Sequence, residues 1–298
     1  MRVLIAYDGS QGAEYGLSLA TTLAWPPDST LRVVAVADYL GVPIGRGPAI
    51  PSPELETQIV AHFEDVMADA TNRLESTRIA DHVEGAVLRG RPATVLVDEA
   101  VRFGADLVVG GSRGHGPIAS LVLGSVSSEF VDHAPCPALV ARTSTVTRVV
   151  FATDGSNAAA VAEDVLARWG LFDRLPIEVV SVADVVAPWH TGISPVMYSQ
   201  VIASHADDLD RARATHGALA EEAAERLRAA GRTATANVRT GDAASEIIAV
   251  ATETAADLIV IGSRGRTGLT RVLLGSVARN VLHASAASVL VVREPAGA

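Results

Sequence analysis

The segment from Gly111 to Ser125, GSRGHGPIASLVLGS, returns from Gly262 to Ser276 as GSRGRTGLTRVLLGS, each time directly after an apolar run that opens with Asp106 or Asp257. The offset between the two copies, 151 residues, also carries Gly90 onto Gly241 and Gly124 onto Gly275, and His133 onto His283 with one residue of slack. Nearer the start, Ala6-Tyr7-Asp8-Gly9-Ser10 matches Ala152-Thr153-Asp154-Gly155-Ser156 at an offset of 146. The second copy therefore holds about five extra residues, expected in the Pro- and Gly-rich loop after its second strand, because loop tips tolerate insertion. A chain that repeats itself this way has to fold as two similar units. They are expected at 1–143 and 147–298, joined by the polar stretch Arg142 to Thr147.

Within each copy, short β-branched runs alternate with Ala-rich amphipathic segments, the pattern of a parallel sheet flanked by helices. In the first copy strands are expected near 3–7, 31–37, 82–88, 107–110 and 138–141, with helices near 11–24, 53–79, 93–103 and 125–133. The second copy repeats the strands near 148–152, 177–183, 233–238, 258–261 and 289–292. In such a sheet ligands bind beyond the carboxyl ends of the strands. Asp8 and the loop from Gly111 both follow strand ends, so they can face one crevice.

Composition removes several functions. At 298 residues and 49% hydrophobic the chain can bury two cores. The net charge of −10 leaves no bulk basic face for nucleic acid or an anionic membrane. All 24 basic residues are arginine. Without lysine there is no Walker A loop, no kinase strand lysine and no Schiff-base amine. The single cysteine, Cys136, excludes an internal disulfide and fits a reducing compartment. The opening run Val3 to Ala6 is too short for a signal peptide, and no apolar run reaches membrane length, so the cytoplasm is the expected location.

Gly111, Gly114 and Gly124 leave backbone N–H groups unshielded, and Ser125 opens a helix whose first N–H groups lack intrahelical partners; together these make an anion site. The competing reading is that the glycines merely end a strand in a tight loop. Ser125 and Ser127 add hydroxyls, whereas the second copy has Ser276 but Ala278. Against that loss it places Arg264, Arg266 and Arg271 where the first copy has Arg113 and His115, so the second copy is expected to attract distal phosphates more strongly. Ser10 and Ser156 suit a helix cap as well as a ligand. Asp8 and Asp154, at strand tips, can accept from a ribose hydroxyl or hold a metal beside phosphates.

The spacing Gly, two residues, Gly, nine residues, Gly, Ser, complete in both halves, resembles the nucleotide-binding signature of the universal stress protein family in its ATP-binding subclass. The strand-tip Asp-Gly-Ser and the ending His133-Ala134-Pro135-Cys136-Pro137-Ala138-Leu139-Val140 are also similar to that family. The resemblance implies two tandem Rossmann-like domains, each a five-stranded parallel sheet of order 3-2-1-4-5. It implies ATP, with Mg2+ or Mn2+, held by Asp8 and Asp154 at the adenosine and by the backbone of Val36 or Ala37, and of Val182 or Ala183, at the adenine edge. Gly111, Gly114, Gly124 and Ser125, with Gly262, Gly265, Gly275 and Ser276, would wrap ribose and phosphates, and Arg113, Val126, Ser127, Arg264 and Val277 complete the candidate site. The second copy departs at Ala278 and lacks the Pro-Cys-Pro of the first. The implied role is a nucleotide-dependent stress-response regulator or interaction module. The fifth strands are expected to pair within the chain, and the whole chain to form a homodimer.

Other arrangements carry less. Gly110-Gly111-Ser112-Arg113-Gly114 spells a nucleophile elbow, but Gly116-Pro117 follow where a helix should start, and the second copy loses the first glycine. The first strand-to-helix turn, Asp8-Gly9-Ser10-Gln11-Gly12, does not give a dinucleotide fingerprint. The eight histidines show no metal-ligand spacing, and His133 and His283 suit helix C-termini. Cys136 reads as a small packed residue. The stretch Asp184 to Tyr198, with Trp189, Met197 and Tyr198, reads as a lid or a subunit contact. No general base for fast hydrolysis stands out. Asp8 or Asp154 could orient water, leaving slow ATP hydrolysis or self-phosphorylation near Ser125 or Thr267 as the alternative.

Overall fold

The computed structural model describes residues 1–38, 43–44, 47–48, 53–112, 123–184, 195–265 and 274–294. The first half runs β1 (Arg2–Ala6), α1 (Gln11–Thr22), β2 (Thr30–Ala37), a two-residue pair β3 (Pro43–Ile44) and β4 (Gly47–Pro48), α2 (Pro53–Thr77), β5 (His82–Arg89), α3 (Pro92–Phe103), β6 (Leu107–Gly111), α4 (Ser125–His133) and β7 (Ala138–Ala141). The second half runs β8 (Val149–Ala152), α5 (Asn157–Arg168), a 3-10 turn (Gly170–Phe172), β9 (Pro176–Ala183), α6 (Pro195–Ala229), β10 (Thr233–Thr240), α7 (Ala243–Glu253), β11 (Leu258–Gly262), α8 (Ser276–Ala284) and β12 (Ser288–Val292).

Setting β3 and β4 aside, each half is a parallel sheet of order 3-2-1-4-5, and the fold is the tandem α/β arrangement expected. The two sheets are joined: β7 pairs antiparallel with β12, Val140 opposite Val289 and Leu139 opposite Leu290, giving one sheet of ten strands. Strands buried on both faces explain the near-continuous apolar runs of β6, β8 and β11. One core, under α1, α2, α5 and α6, runs across the junction through Leu139 and Leu290. The other, under α3, α4, α7 and α8, includes Phe130, whose ring would lie 2.9 Å from a Cβ at Gly110. The small residue on the strand is what lets the ring in.

The halves differ in their long crossover helices. α6 has 35 residues and α2 has 25, so the extra length of the second copy lies in the helix and not in the loop where insertion was expected. Pro195 to Tyr198, read from sequence as loop, form the first turn of α6; residues 185–194 lie outside the described residues. Val66 stands beside Gly9 and Leu219 beside Gly155. At 1.5 Å per residue, α2 therefore runs about 20 Å and α6 about 36 Å past the level of these strand-end glycines.

The linker is tied down. The Thr147 N–H donates to Asp257 Oδ1 at 2.9 Å and its hydroxyl to Oδ2 at 2.8 Å, while the Thr143 N–H donates to Ser288 Oγ at 3.2 Å. Asp106 closes the first half in the same way, accepting from the Arg2 N–H at 2.7 Å.

Candidate functional site

Both halves build the same turn at the end of their first strand. Gly9 and Gly155 take positive φ, +76° and +74°, which glycine adopts without the Cβ penalty. Asp8 Oδ1 accepts from the Ser10 N–H at 3.0 Å and Asp154 Oδ1 from the Ser156 N–H at 3.0 Å. The serines then cap: Ser10 Oγ accepts from the Ala13 N–H and Ser156 Oγ from the Ala159 N–H. The hydroxyls of Asp-Gly-Ser thus hold the helix, and the aspartates sit half-buried at the strand tips.

The backbone of Val36 faces the same crevice. Peptide groups along a parallel strand point alternately to its two neighbours. Val34 accepts from the Tyr7 N–H on the β1 side, and Ala37 accepts from the Gly90 N–H on the β5 side. Val36 therefore points to the β1 side, where β1 has ended at Ala6. Val182 repeats this, with Val180 accepting from Thr153 and Ala183 from Gly241. Of each expected pair, the valine is the one turned toward the crevice.

The glycine loops are closed at their bases. Gly124 N–H donates to the Ser112 carbonyl and Gly275 N–H to the Ser263 carbonyl, each at 2.8 Å. Gly111 and Gly262 are needed for packing: a Cβ at Gly111 would lie 2.2 Å from the carbonyl of Gly12, and one at Gly262 would lie 2.8 Å from the carbonyl carbon of Ala158. Gly265 differs, because its Cβ would meet Asp154 Oδ2 at 2.8 Å. Arg113 and Gly114, together with Thr267 and Arg271, lie outside the described residues.

Gly124 and Gly275 start α4 and α8 with extended backbone, φ −65° and −64°, and no side-chain cap. By contrast α1, α5 and α7 are capped by Ser10, Ser156 and Asp242. The first N–H groups of Ser125, Val126 and Ser127, and of Ser276, Val277 and Ala278, thus receive no side-chain acceptor at the cap. Such a helix end favours an anion. The Ser127 hydroxyl donates to the Gly111 carbonyl at 2.7 Å, so its single proton ties α4 to β6. Ala278 lacks that tie.

Among the described residues no group of three His, Cys, Asp or Glu side chains could hold a metal. Ser112 is 6% exposed and Ser263 1%, burial that suits neither to attack a substrate, and among the described residues the Ser263 hydroxyl has no hydrogen-bond partner. The Cys136 thiol is pushed up to about 12 by burial, with Asp106 adding to the rise. It reads as packing. His133 and His283 stand in the last turns of α4 and α8.

Two features escaped the sequence reading. Ser181 Oγ lies 2.8 Å from His216 Nδ1, where the first half has Ala35 and Phe63. Arg73 grips Glu14 with two bonds, 3.0 and 2.9 Å, as Arg226 grips Glu163 in the second half, and Glu14 also accepts from the buried Tyr7 hydroxyl. Arg73 holds the Glu14 carboxyl below its usual range, and burial, with the Glu14 bond, raises the Tyr7 phenol well above its own.

Comparison with known proteins is consistent along the whole chain. The model of the universal stress protein family matches residues 1–142 and again 145–293. The universal stress protein in the QAH/OAS sulfhydrylase 3' region of Thermus aquaticus is 33% identical over 151 residues, 47% of this chain and 97% of that protein. A crystal structure of a universal stress protein from Archaeoglobus fulgidus superimposes with a TM-score of 0.66 at 18% identity, covering 98% of both chains. One of a putative universal stress protein from Pseudomonas aeruginosa gives 0.58 at 18% identity, over 98% of this chain and 92% of that one.

Proposed function

The chain belongs to the universal stress protein family, and we propose that each half binds one adenine nucleotide, ATP, so that the protein acts as a nucleotide-dependent regulator or interaction module in the stress response. One observation carries the reading. In both halves a strand-tip carboxylate, an inward-turned valine backbone and a glycine-started helix without a side-chain cap stand at the same end of the sheet. Asp8 or Asp154 would accept from the ribose, Val36 or Val182 would meet the adenine edge, and the first turns of α4 or α8 would take phosphate oxygens. Gly114 and Arg113, and Gly265 and Arg264, would close over the ligand.

The residues fit a phosphate-bound Mg2+ better than a protein-held one, since among the described residues no group of three His, Cys, Asp or Glu side chains could hold a metal and Mg2+ is commonly held by one or two carboxylates plus substrate phosphates. We take the two binding units to be 1–143 and 147–298 and the location to be the cytoplasm. β7 and β12 use up each other's edges. The proposed homodimer must then form through another surface, and a solution mass of one chain would remove it.

The test is to denature the purified protein, identify any released nucleotide by mass spectrometry and count it per chain. Two ATP per chain is the expected result. No nucleotide, together with no ATP binding by calorimetry in magnesium, would overturn the reading. Turnover above about one per second would instead make the protein an ordinary enzyme.

A further inference from the structure

The phosphate end of the second half is not built from the second half alone. Arg279, one turn into α8, pairs at 3.1 Å with Asp132 of α4 in the first half, whose side chain is 14% exposed. Arg293, which follows β12, donates to the Val131 carbonyl on the same turn of α4. The residue before it, Val292, accepts from the Ser263 N–H at 2.7 Å, which sets Arg293 beside the exit of β11 and Arg264. Burial holds the Arg293 guanidinium below its usual range, with Asp132 favouring its charge and Arg264 opposing it. Near the start of α8, Arg279 is thus balanced by a carboxylate from the other half. The Arg293 contact has a counterpart in Arg142, which donates to the Leu282 carbonyl, but the Arg279–Asp132 pair is not repeated in the sequence. At the offset of 151 the equivalents of Arg264, Arg279 and Arg293 are Arg113, Ser128 and Arg142, and the equivalent of Asp132 is His283.

We propose that Asp132 is a positioning residue acting in trans, which anchors Arg279 and lowers the positive potential of the second phosphate site, limiting its preference for a triphosphate over a monophosphate. The proposal rests on the nucleotide reading above. If Asp132 only braces the interface, cutting its bridge to Arg279 from either end should weaken the site in the same direction. If it sets the potential, the two ends have opposite signs: Asp132→Asn adds net positive charge and Arg279→Gln removes it.

The experiment is calorimetric binding of ATP and of AMP, with magnesium, to the full chain carrying Asp8→Ala, so that the second half is the site observed. A unit charge gained or lost beside the site, screened by solvent and salt, changes the ATP-to-AMP affinity ratio on the order of threefold. That ratio is expected to rise in Asp132→Asn, to fall in Arg279→Gln and to stay at the parent value in Asp132→Glu, with the shifts shrinking at high salt. An unchanged ratio, or one moving the same way in both variants while ATP still binds, overturns the role of Asp132 and leaves nucleotide binding intact. Absence of binding in the parent overturns the nucleotide reading itself. Should Asp132→Asn fail to fold, Asp132→Ser takes its place, and a ratio that does not move opposite to that of Arg279→Gln refutes the proposal.

Discussion

A Cβ placed on Gly111 would lie 2.2 Å from the carbonyl carbon and oxygen of Gly12, so the end of β6 and the first turn of α1 are in backbone contact. Neither backbone can yield as a side chain tip does. Gly111→Ala is therefore expected to destabilise by about 1–3 kcal/mol or more, the range of overpacking. Gly262→Ala, against Ala158 and Ala159 at 2.8 and 2.9 Å, is expected to behave alike. Urea denaturation of the two variants checks this, and wild-type midpoints would refute it.

Gly265 separates binding from folding. Among the described residues a methyl there meets only the Asp154 carboxylate, a side chain and not backbone, and Gly265 is itself exposed. Gly265→Ala should keep the wild-type denaturation midpoint while weakening ATP at the second site on the order of tenfold, the equivalent of about 1.4 kcal/mol. Calorimetry beside a melting curve tests both halves of the statement. A variant that loses stability but binds normally would move Gly265 into the same structural class as Gly111.

These two glycines show how far the sequence could be read. The repeat placed the ten strands of the large sheet and the four helices expected in the first half to within about two residues, because parallel strands are short apolar runs and the glycine loops mark their ends; it did not foresee the short β3–β4 pair. It could not say that Gly111 and Gly262 serve packing while Gly265 faces a carboxylate, since all three occupy one spacing. The Ser127 hydroxyl looked like a phosphate ligand until its bond to the Gly111 carbonyl was seen. Contacts such as Arg279 with Asp132, 147 residues apart, leave no local pattern at all. The length of α6 was hidden because its first turn, Pro195 to Tyr198, opens on a proline and follows a stretch read as loop.

The Tyr7, Glu14 and Arg73 cluster makes the first half sensitive to acid. Arg73 lowers the carboxyl of Glu14 in the folded protein, so the stabilisation is present above the unfolded glutamate pKa, about 4.3, and is lost as pH falls through the lower folded value. Both side chains are 38% exposed, so solvent screens the pair and about 1 kcal/mol is a fair ceiling. Glu14→Gln should cost stability at pH 7, and the difference from wild type should shrink below pH 4. A difference that persists undiminished in acid would refute the assignment.

The halves also clasp each other through a pseudo-symmetric pair of arginines. Arg142, from the first half, donates to the Leu282 carbonyl in α8, and Arg293, from the second, donates to the Val131 carbonyl in α4. Both acceptors lie in the last turn of a nine-residue helix, where carbonyls have lost their intrahelical donors and the dipole favours a cation. Each arginine therefore completes a helix in the opposite half. Removing one leaves a carbonyl without its partner, so Arg142→Ala is expected to cost about 1–3 kcal/mol. The Arg142 N–H still donates to Ser288 Oγ in that variant, and the β7–β12 ladder is untouched, so the halves should stay joined. The linker keeps them at high effective concentration as well. Arg142→Ala with Arg293→Ala should thus lower the melting temperature by close to the sum of the single effects while keeping one transition. Two resolved transitions, one per half, would instead mean that the arginines and not the strand ladder couple the folding of the two halves.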